Sequence, residues 1–299
     1  MQFILSLLLL LGSLSSFASV RDEAKTLLQS LEHEDQVSAR LDQFSKKFMG
    51  LPYGFQGPLG EGPAGRYDQD PLYRFDTFDC TTFVETMVSL ALSNDVDEFE
   101  SNMNRIRYID SNVDYLSRNH FTDLEWIPEN IQNGLLKEIN KDIVSSSHIF
   151  IAAAQINFGG WLLSHKPENI QVPLATTEEK QDLVNELHLM ATRYTPTVAS
   201  VPYISIAYIL SHPDIVNRIP TGSLANFVRP DWDLSQTIGT HQNISHQALL
   251  IRKNGILYQR HATSSGGAVQ EIVFLDYLKK FENHPTLKGV HFMQVRPLQ

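Results

Sequence analysis

Asn254-Gly255 constrains the fold of this chain more than any other pair of residues. It separates two apolar runs, Ala248-Leu249-Leu250-Ile251 and Ile256-Leu257-Tyr258. Asn-Gly is the preferred type I′ turn of a two-residue β-hairpin loop. Such a loop pairs Lys253 with Ile256, and counting outward pairs Ala248 with His261 and His246 with Thr263. Side chains alternate faces along a strand, so His246, Ala248 and His261 share one face. The two histidines are then diagonal neighbours, about 7–8 Å apart between backbones, which long side chains can bridge. A slip of one residue would part them.

The other C-terminal runs, Val201–Ile204, Leu224–Val228 and His291–Val295, also read as short strands with turn residues between them. The N-terminal part reads as helical. Apolar residues from Leu27 to Phe48 fall at helical spacings among charges. Phe83, Val84, Met87, Val88 and Ala91 form one apolar face of a helix ending near Asn94, with Asp79 as its N-cap. Thr176–Thr192 reads as a helix with Glu178 and Glu179 in its first turn, and 148–155 and 168–174 as strands. Helices first and strands later predict an α+β architecture. Residues 19–299 read as one domain with a possible inserted, mostly helical lobe at about 95–200. A Gly- and Pro-rich loop from Gly50 to Gly65 leads toward Cys80, where it should lie on the surface and shape a cleft.

Residues 1–18 read as a secretory signal: an apolar run, Phe3 to Leu11, too short to span a bilayer comfortably, then Ser16-Phe17-Ala18 as a small-x-small cleavage site. No lysine or arginine precedes the run, which is atypical. No later stretch is long and apolar enough for a membrane span. The expectation is a periplasmic or secreted protein without stable membrane insertion after cleavage. The formal charge of −10, with no basic cluster, argues against a nucleic-acid partner held by counterion release.

Export makes the single cysteine, Cys80, informative. It has no internal partner for a disulfide, and a free thiol in an oxidising compartment points to chemistry. The alternative is a buried cysteine acting as a small hydrophobe. A cysteine nucleophile must become a thiolate, which its free pKa of about 8.5 disfavours at neutral pH. A helix N-terminus and a nearby imidazolium both lower that value. His246 is the candidate base, and His261 the third polar group that orients it. The Cys80 backbone N–H and the Tyr53 hydroxyl are candidate donors to a developing oxyanion. His241 is a reserve candidate, and His120 could line a cleft. His33, His165, His188, His212 and His284 sit in polar or loop contexts and read as solvated.

Three segments together resemble a known family: Asp79-Cys80-Thr81-Thr82-Phe83-Val84-Glu85, upstream Gly50-Leu51-Pro52-Tyr53, and downstream Ser245-His246 with His261-Ala262-Thr263-Ser264. They resemble the papain-like NlpC/P60 superfamily, and within it the DUF1460 or N-acetylmuramoyl-L-alanine amidase-like group, over roughly residues 45–275. The resemblance implies an α+β fold in which a helix carrying the cysteine packs on an antiparallel sheet carrying the histidines. It implies an exported bacterial cysteine hydrolase acting on peptidoglycan peptides, at the muramoyl–L-alanine amide or within the stem peptide. Carried over, Cys80 matches the nucleophile, His246 the base, His261 the third polar residue and Tyr53 the tyrosine near the nucleophile; Asp79 matches a structural cap. No cofactor is implied. One departure is Ser223, where relatives carry the aspartate of a Gly-Asp pair.

Three other readings compete. Cys80, His246 and His261 are also zinc-ligand types, although no HExxH or paired CxxC accompanies them. The same triad could transfer an acyl group to an acceptor other than water. An inactive module that binds peptidoglycan is the third. No GxSxG, Walker A or dinucleotide fingerprint is present.

Overall fold

A computed structural model describes residues 20–297 except 32, 35 and 56. The predicted signal segment 1–18 lies outside the described residues. The helices are α1 (20–29), α2 (Val37–Lys47), α3 (Cys80–Ala91), α4 (Val96–Arg107), α5 (Ile127–Gln132), α6 (Asn140–Ile143), α7 (Phe158–Leu163), α8 (Thr177–Ala191), α9 (Ile206–Ser211), α10 (Ser235–Ile238) and α11 (Phe274–Lys279). The strands are β1 (Leu136–Glu138), β2 (Ile149–Ile156), β3 (Thr197–Ser205), β4 (Ser223–Leu234), β5 (Thr240–Lys253), β6 (Ile256–Thr263), β7 (Ala268–Val273) and β8 (Gly289–Val295). All pair antiparallel into one sheet of order β2-β3-β8-β4-β5-β6-β7, with β1 added beside β8. The fold is α+β.

Both faces of the sheet are covered. On one, Leu249, Ala262, Leu224 and Met293 pack against Phe44 of α2, Phe83, Val84 and Met87 of α3, and Phe99 of α4. On the other, Ala248, Leu250, Leu257 and Phe292 pack against Ile206 and Ile209 of α9 and Phe274 and Leu278 of α11. Alternation along β5 and β6 produces this split, odd and even positions serving opposite faces. A third apolar cluster joins α7 and α8 to Tyr67, Tyr115 and Phe121. The sheet also curls, so that the N–H of Asn157 after β2 donates to Thr240 Oγ1 at the start of β5, 2.6 Å away.

Several expectations change in detail. The helical run at 20–48 is two helices, 20–29 and Val37–Lys47. Residues 168–174 form no strand, only a 3-10 turn at Pro167–Asn169 and a single bridge from Gln171 to Asp68. The 95–200 region, with its expected strand at 148–155, supplies β1, β2 and the start of β3 to the main sheet. Short amphipathic runs read alike as helix or strand until a neighbour takes up their backbone groups.

Candidate functional site

Asn254 and Gly255 both have positive φ, 50° and 82°, as a type I′ turn requires. The rungs run from Lys253↔Ile256 to Leu249↔Arg260, the expected register. Extended by one residue, it sets Ala248 opposite His261. His246 Nε2 and His261 Nδ1 lie 2.6 Å apart, one donating and the other accepting, with rings meeting edge to face at 70°.

Beyond Leu249 and Arg260 the two strands part. β5 stays paired with β4 as far as His246↔Phe227 and beyond, while β6 stays paired with β7 through Thr263↔Ala268. In antiparallel pairing, hydrogen-bonded pairs recur every second residue, so Gln247 and Ala262 would form the next such rung. Instead, the N–H of Gln247 faces the Cys80 thiol and favours its ionised form. The N-terminus of α3 therefore sits at the mouth of this opening. The histidines occupy the face that packs on α11, while the body of α3 covers the other.

Asp79 caps α3 reciprocally. Its carboxylate accepts from Thr82 N at 2.7 Å, and Thr82 Oγ1 accepts from Asp79 N at 3.0 Å. The cap fixes Cys80 as the first helical residue, half-buried, with Thr81 Oγ1 at 4.0 Å from Sγ. Tyr53 reaches the same place through backbone pairing. Its N–H donates to Gly267 O, and the N–H of Gly54 donates to Phe78 O, both at 2.9 Å. Tyr53 thus joins the edge of the β7 hairpin to the residue preceding Asp79.

The electrostatics run against the sequence expectation. Burial pushes the Cys80 thiol up to about 11, with the Asp79 charge adding to the shift; the Gln247 N–H and Thr81 offset only part of it. Burial pushes His246 down to about 3, helped by His261, and His261 down to about 4, helped by Lys280. The resting site holds a neutral thiol and neutral imidazoles. Desolvation outweighs the helix N-terminus here because it acts on the whole charge. Burial raises the Tyr53 phenol well above its ordinary range, with the Cys80 and Asp79 charges adding to it, so it remains a donor.

Two further residues complete the surroundings and were not singled out from the sequence. Tyr277 on α11 meets His261 edge-on, ring centroids 5.3 Å apart. Burial raises its phenol to about 12, and the Cys80 charge contributes. Gln259 places Nε2 3.3 Å from His261 Nδ1 and 3.4 Å from His261 Nε2. Gln259 was accessible from the sequence, since i and i+2 on a strand share a face. Tyr277 was not, since nothing local ties α11 to the hairpin.

Under the site, Glu85 of α3 pairs with Arg107 at 2.6 Å and accepts from Trp126 Nε1 at 3.0 Å, all buried. This locks α3 to α4 and to the π-helical turn Thr122–Trp126. His241 is elsewhere, paired with Asp231 at 2.8 Å. His165, expected to be solvated, is buried, and its Nε2 lies 2.7 Å from Tyr115 Oη. His120 lines a cavity of about 260 Å³ with Arg118 and Trp161. Among the described residues no His, Cys, Asp and Glu side chains form a group of three placed to hold a metal ion, and no helix is long and apolar enough to cross a membrane.

The arrangement of Cys80, His246 and His261 in this fold can be set beside known proteins. A family profile described as AmiA-like, N-acetylmuramoyl-L-alanine amidase-like, matches residues 43–286. The chain belongs to that family. A DUF1460 protein from Legionella pneumophila superposes with a TM-score of 0.91 and 34% identity, over 95% of this chain and 97% of its own. An N-acetylmuramoyl-L-alanine amidase from Bacteroides uniformis shares the fold at a TM-score of 0.60 and 19% identity, over 87% and 99%. A putative xylanase from Bacteroides fragilis does so at 0.56 and 22%, over 84% and 98%. No curated protein matches. Amidase-like membership makes the chain a member of a hydrolase family.

Proposed function

We propose that this chain is an exported bacterial cysteine hydrolase of the papain-like NlpC/P60 type that cuts amide bonds in peptidoglycan peptides, periplasmic or secreted. The observation that carries the reading is the 2.6 Å bond between His246 and His261, with the N–H of Gln247, the residue after His246 on β5, facing the chain's single thiol. Family membership and the Bacteroides uniformis amidase support the substrate class.

His246 uses Nε2 to meet His261, so Nδ1 is the nitrogen left to take the thiol proton. Because the resting pair is neutral, the proton moves as sulfur attacks the carbonyl carbon, not before. The carbonyl π electrons go to oxygen, and the oxyanion accepts from the Cys80 N–H at the start of α3 and from Tyr53 Oη. The His246 imidazolium then protonates the leaving nitrogen, the C–N bond breaks, and a thioester remains. Water, giving a proton to His246, attacks the thioester carbon; the C–S bond then breaks, the carboxyl product leaves, and the proton on His246 returns to sulfur as the thiol. His261 holds the His246 ring in place and stabilises its charge.

The test is digestion of purified muropeptides, read by mass, with Cys80→Ala in parallel. Fragments that depend on Cys80 support the reading, and their masses identify the scissile bond. A folded wild-type protein that releases none refutes it and returns the thioester chemistry to another acyl acceptor, or the chain to a binding role.

A further inference from the structure

The His246–His261 bond fixes a proton count that the pair alone cannot satisfy, an argument that rests on the hydrolase reading above. For His246 Nδ1 to accept the thiol proton, neutral His246 must carry its own proton on Nε2 and donate it to His261 Nδ1. That nitrogen must therefore be bare, and His261 must carry its proton on Nε2. A neutral imidazole holds either tautomer according to what its second nitrogen meets.

Gln259 is what it meets. The residue is completely buried, and its amide lies 3.3–3.4 Å from both ring nitrogens of His261. As oriented, Nε2 is the near end, which sets a donor against the Nε2–H that the mechanism needs, while Oε1 is buried with no hydrogen-bond partner. The two ends of a glutamine amide are nearly isosteric and are assigned from the hydrogen bonds they make. Turning the amide about its last bond brings the orphan oxygen within reach of the His261 Nε2–H. Tyr277, edge-on to His261, bonds to the same near end of the amide.

We propose that Gln259 is a positioning residue for this site: its amide oxygen accepts the His261 Nε2 proton and so selects the tautomer that leaves His246 Nδ1 free. The line of contacts then runs from His246 through His261 to Gln259 and Tyr277. Gln259 touches neither substrate nor sulfur and acts only through His261.

The test uses the mature protein, without substrate, labelled with 15N at histidine. Long-range 1H–15N correlation spectra distinguish a protonated ring nitrogen from a bare one. The wild type should show His261 protonated at Nε2, and Gln259→Leu should shift His261 toward a mixture of tautomers. In turnover, Gln259→Leu should lower kcat about 10- to 100-fold with KM little changed, the usual cost of losing a residue that orients a functional imidazole. Gln259→Glu keeps an acceptor in place, so it should hold the Nε2 tautomer, recover most of kcat and raise the pH at which His261 takes a second proton. A wild-type His261 protonated at Nδ1 overturns the proposal. So does a Glu variant whose His261 titration does not move, a result available even where the Leu variant fails to fold. The spectra need no turnover, so a protein that passes them and cleaves no muropeptide loses the hydrolase reading alone.

Discussion

The neutral resting thiol has a direct kinetic consequence. With Cys80 pushed up to about 11, about one molecule in ten thousand carries a thiolate at pH 7, against about one in thirty for a free cysteine of pKa about 8.5. Ionisation alone makes alkylation about 300-fold slower than for free cysteine. A more basic thiolate is also the better nucleophile, which returns about 10- to 20-fold and leaves a net deficit of about 20-fold. Iodoacetamide under pseudo-first-order conditions, followed by intact mass from pH 6 to 10.5, should give a rate rising about tenfold per pH unit to near pH 10. Asp79→Asn keeps a side-chain oxygen for the Thr82 N–H but removes the nearby negative charge, so it should speed alkylation at pH 7 and move the profile toward acid. A rate that is flat from pH 6 and exceeds that of free cysteine would refute the argument, since it requires a preformed thiolate–imidazolium pair.

Other outcomes follow from the same geometry. His246→Ala should lower kcat/KM about 10²- to 10⁴-fold on muropeptides, the usual worth of a general base; retained turnover would remove His246 from that role. Glu85→Gln leaves Arg107 buried without its carboxylate and should cost about 3–5 kcal/mol in urea unfolding. A loss below about 1 kcal/mol would refute the claim that Arg107 is left uncompensated. Because His246 falls to about 3 in the folded chain against about 6.5 unfolded, the unfolded state binds more protons across that window and stability drops as pH falls through it. His246→Gln removes that share, so between pH 7 and pH 5 the variant should lose about 2 kcal/mol less than wild type in paired unfolding curves. Gly255→Ala forces an alanine to φ near 82° and should cost about 1–2 kcal/mol by thermal or urea unfolding.

Much of the site was legible because it is local. A two-residue turn fixes register over several residues through backbone geometry alone, and an Asx cap fixes a helix start within three. That is why Asn254-Gly255 placed His246 and His261 together, and why Asp79 placed Cys80 at a helix N-terminus. The apolar run of α3 and the capping box of α8, with Thr176 Oγ1 accepting from Glu179 N at 3.2 Å, were readable for the same reason. The strand expected at 168–174 failed because its only sheet-like contact, to Asp68, lies about a hundred residues away. The solvated reading of His165 failed because Tyr115, fifty residues upstream, bonds its ring, and the α7–α8 cluster lies alongside.

By itself, then, the sequence determined which groups share a strand face or a helix start, and so which chemistry was available to the chain. Only the tertiary structure decided how they meet. The parting of β5 and β6 lets α3 bring Cys80 toward histidines on the far face, and α11 contributes Tyr277 from outside the hairpin. The protonation state was also decided there. A helix N-terminus favours a thiolate wherever it occurs, but desolvation sums over every atom that excludes water, and those atoms come from elements distant in the chain.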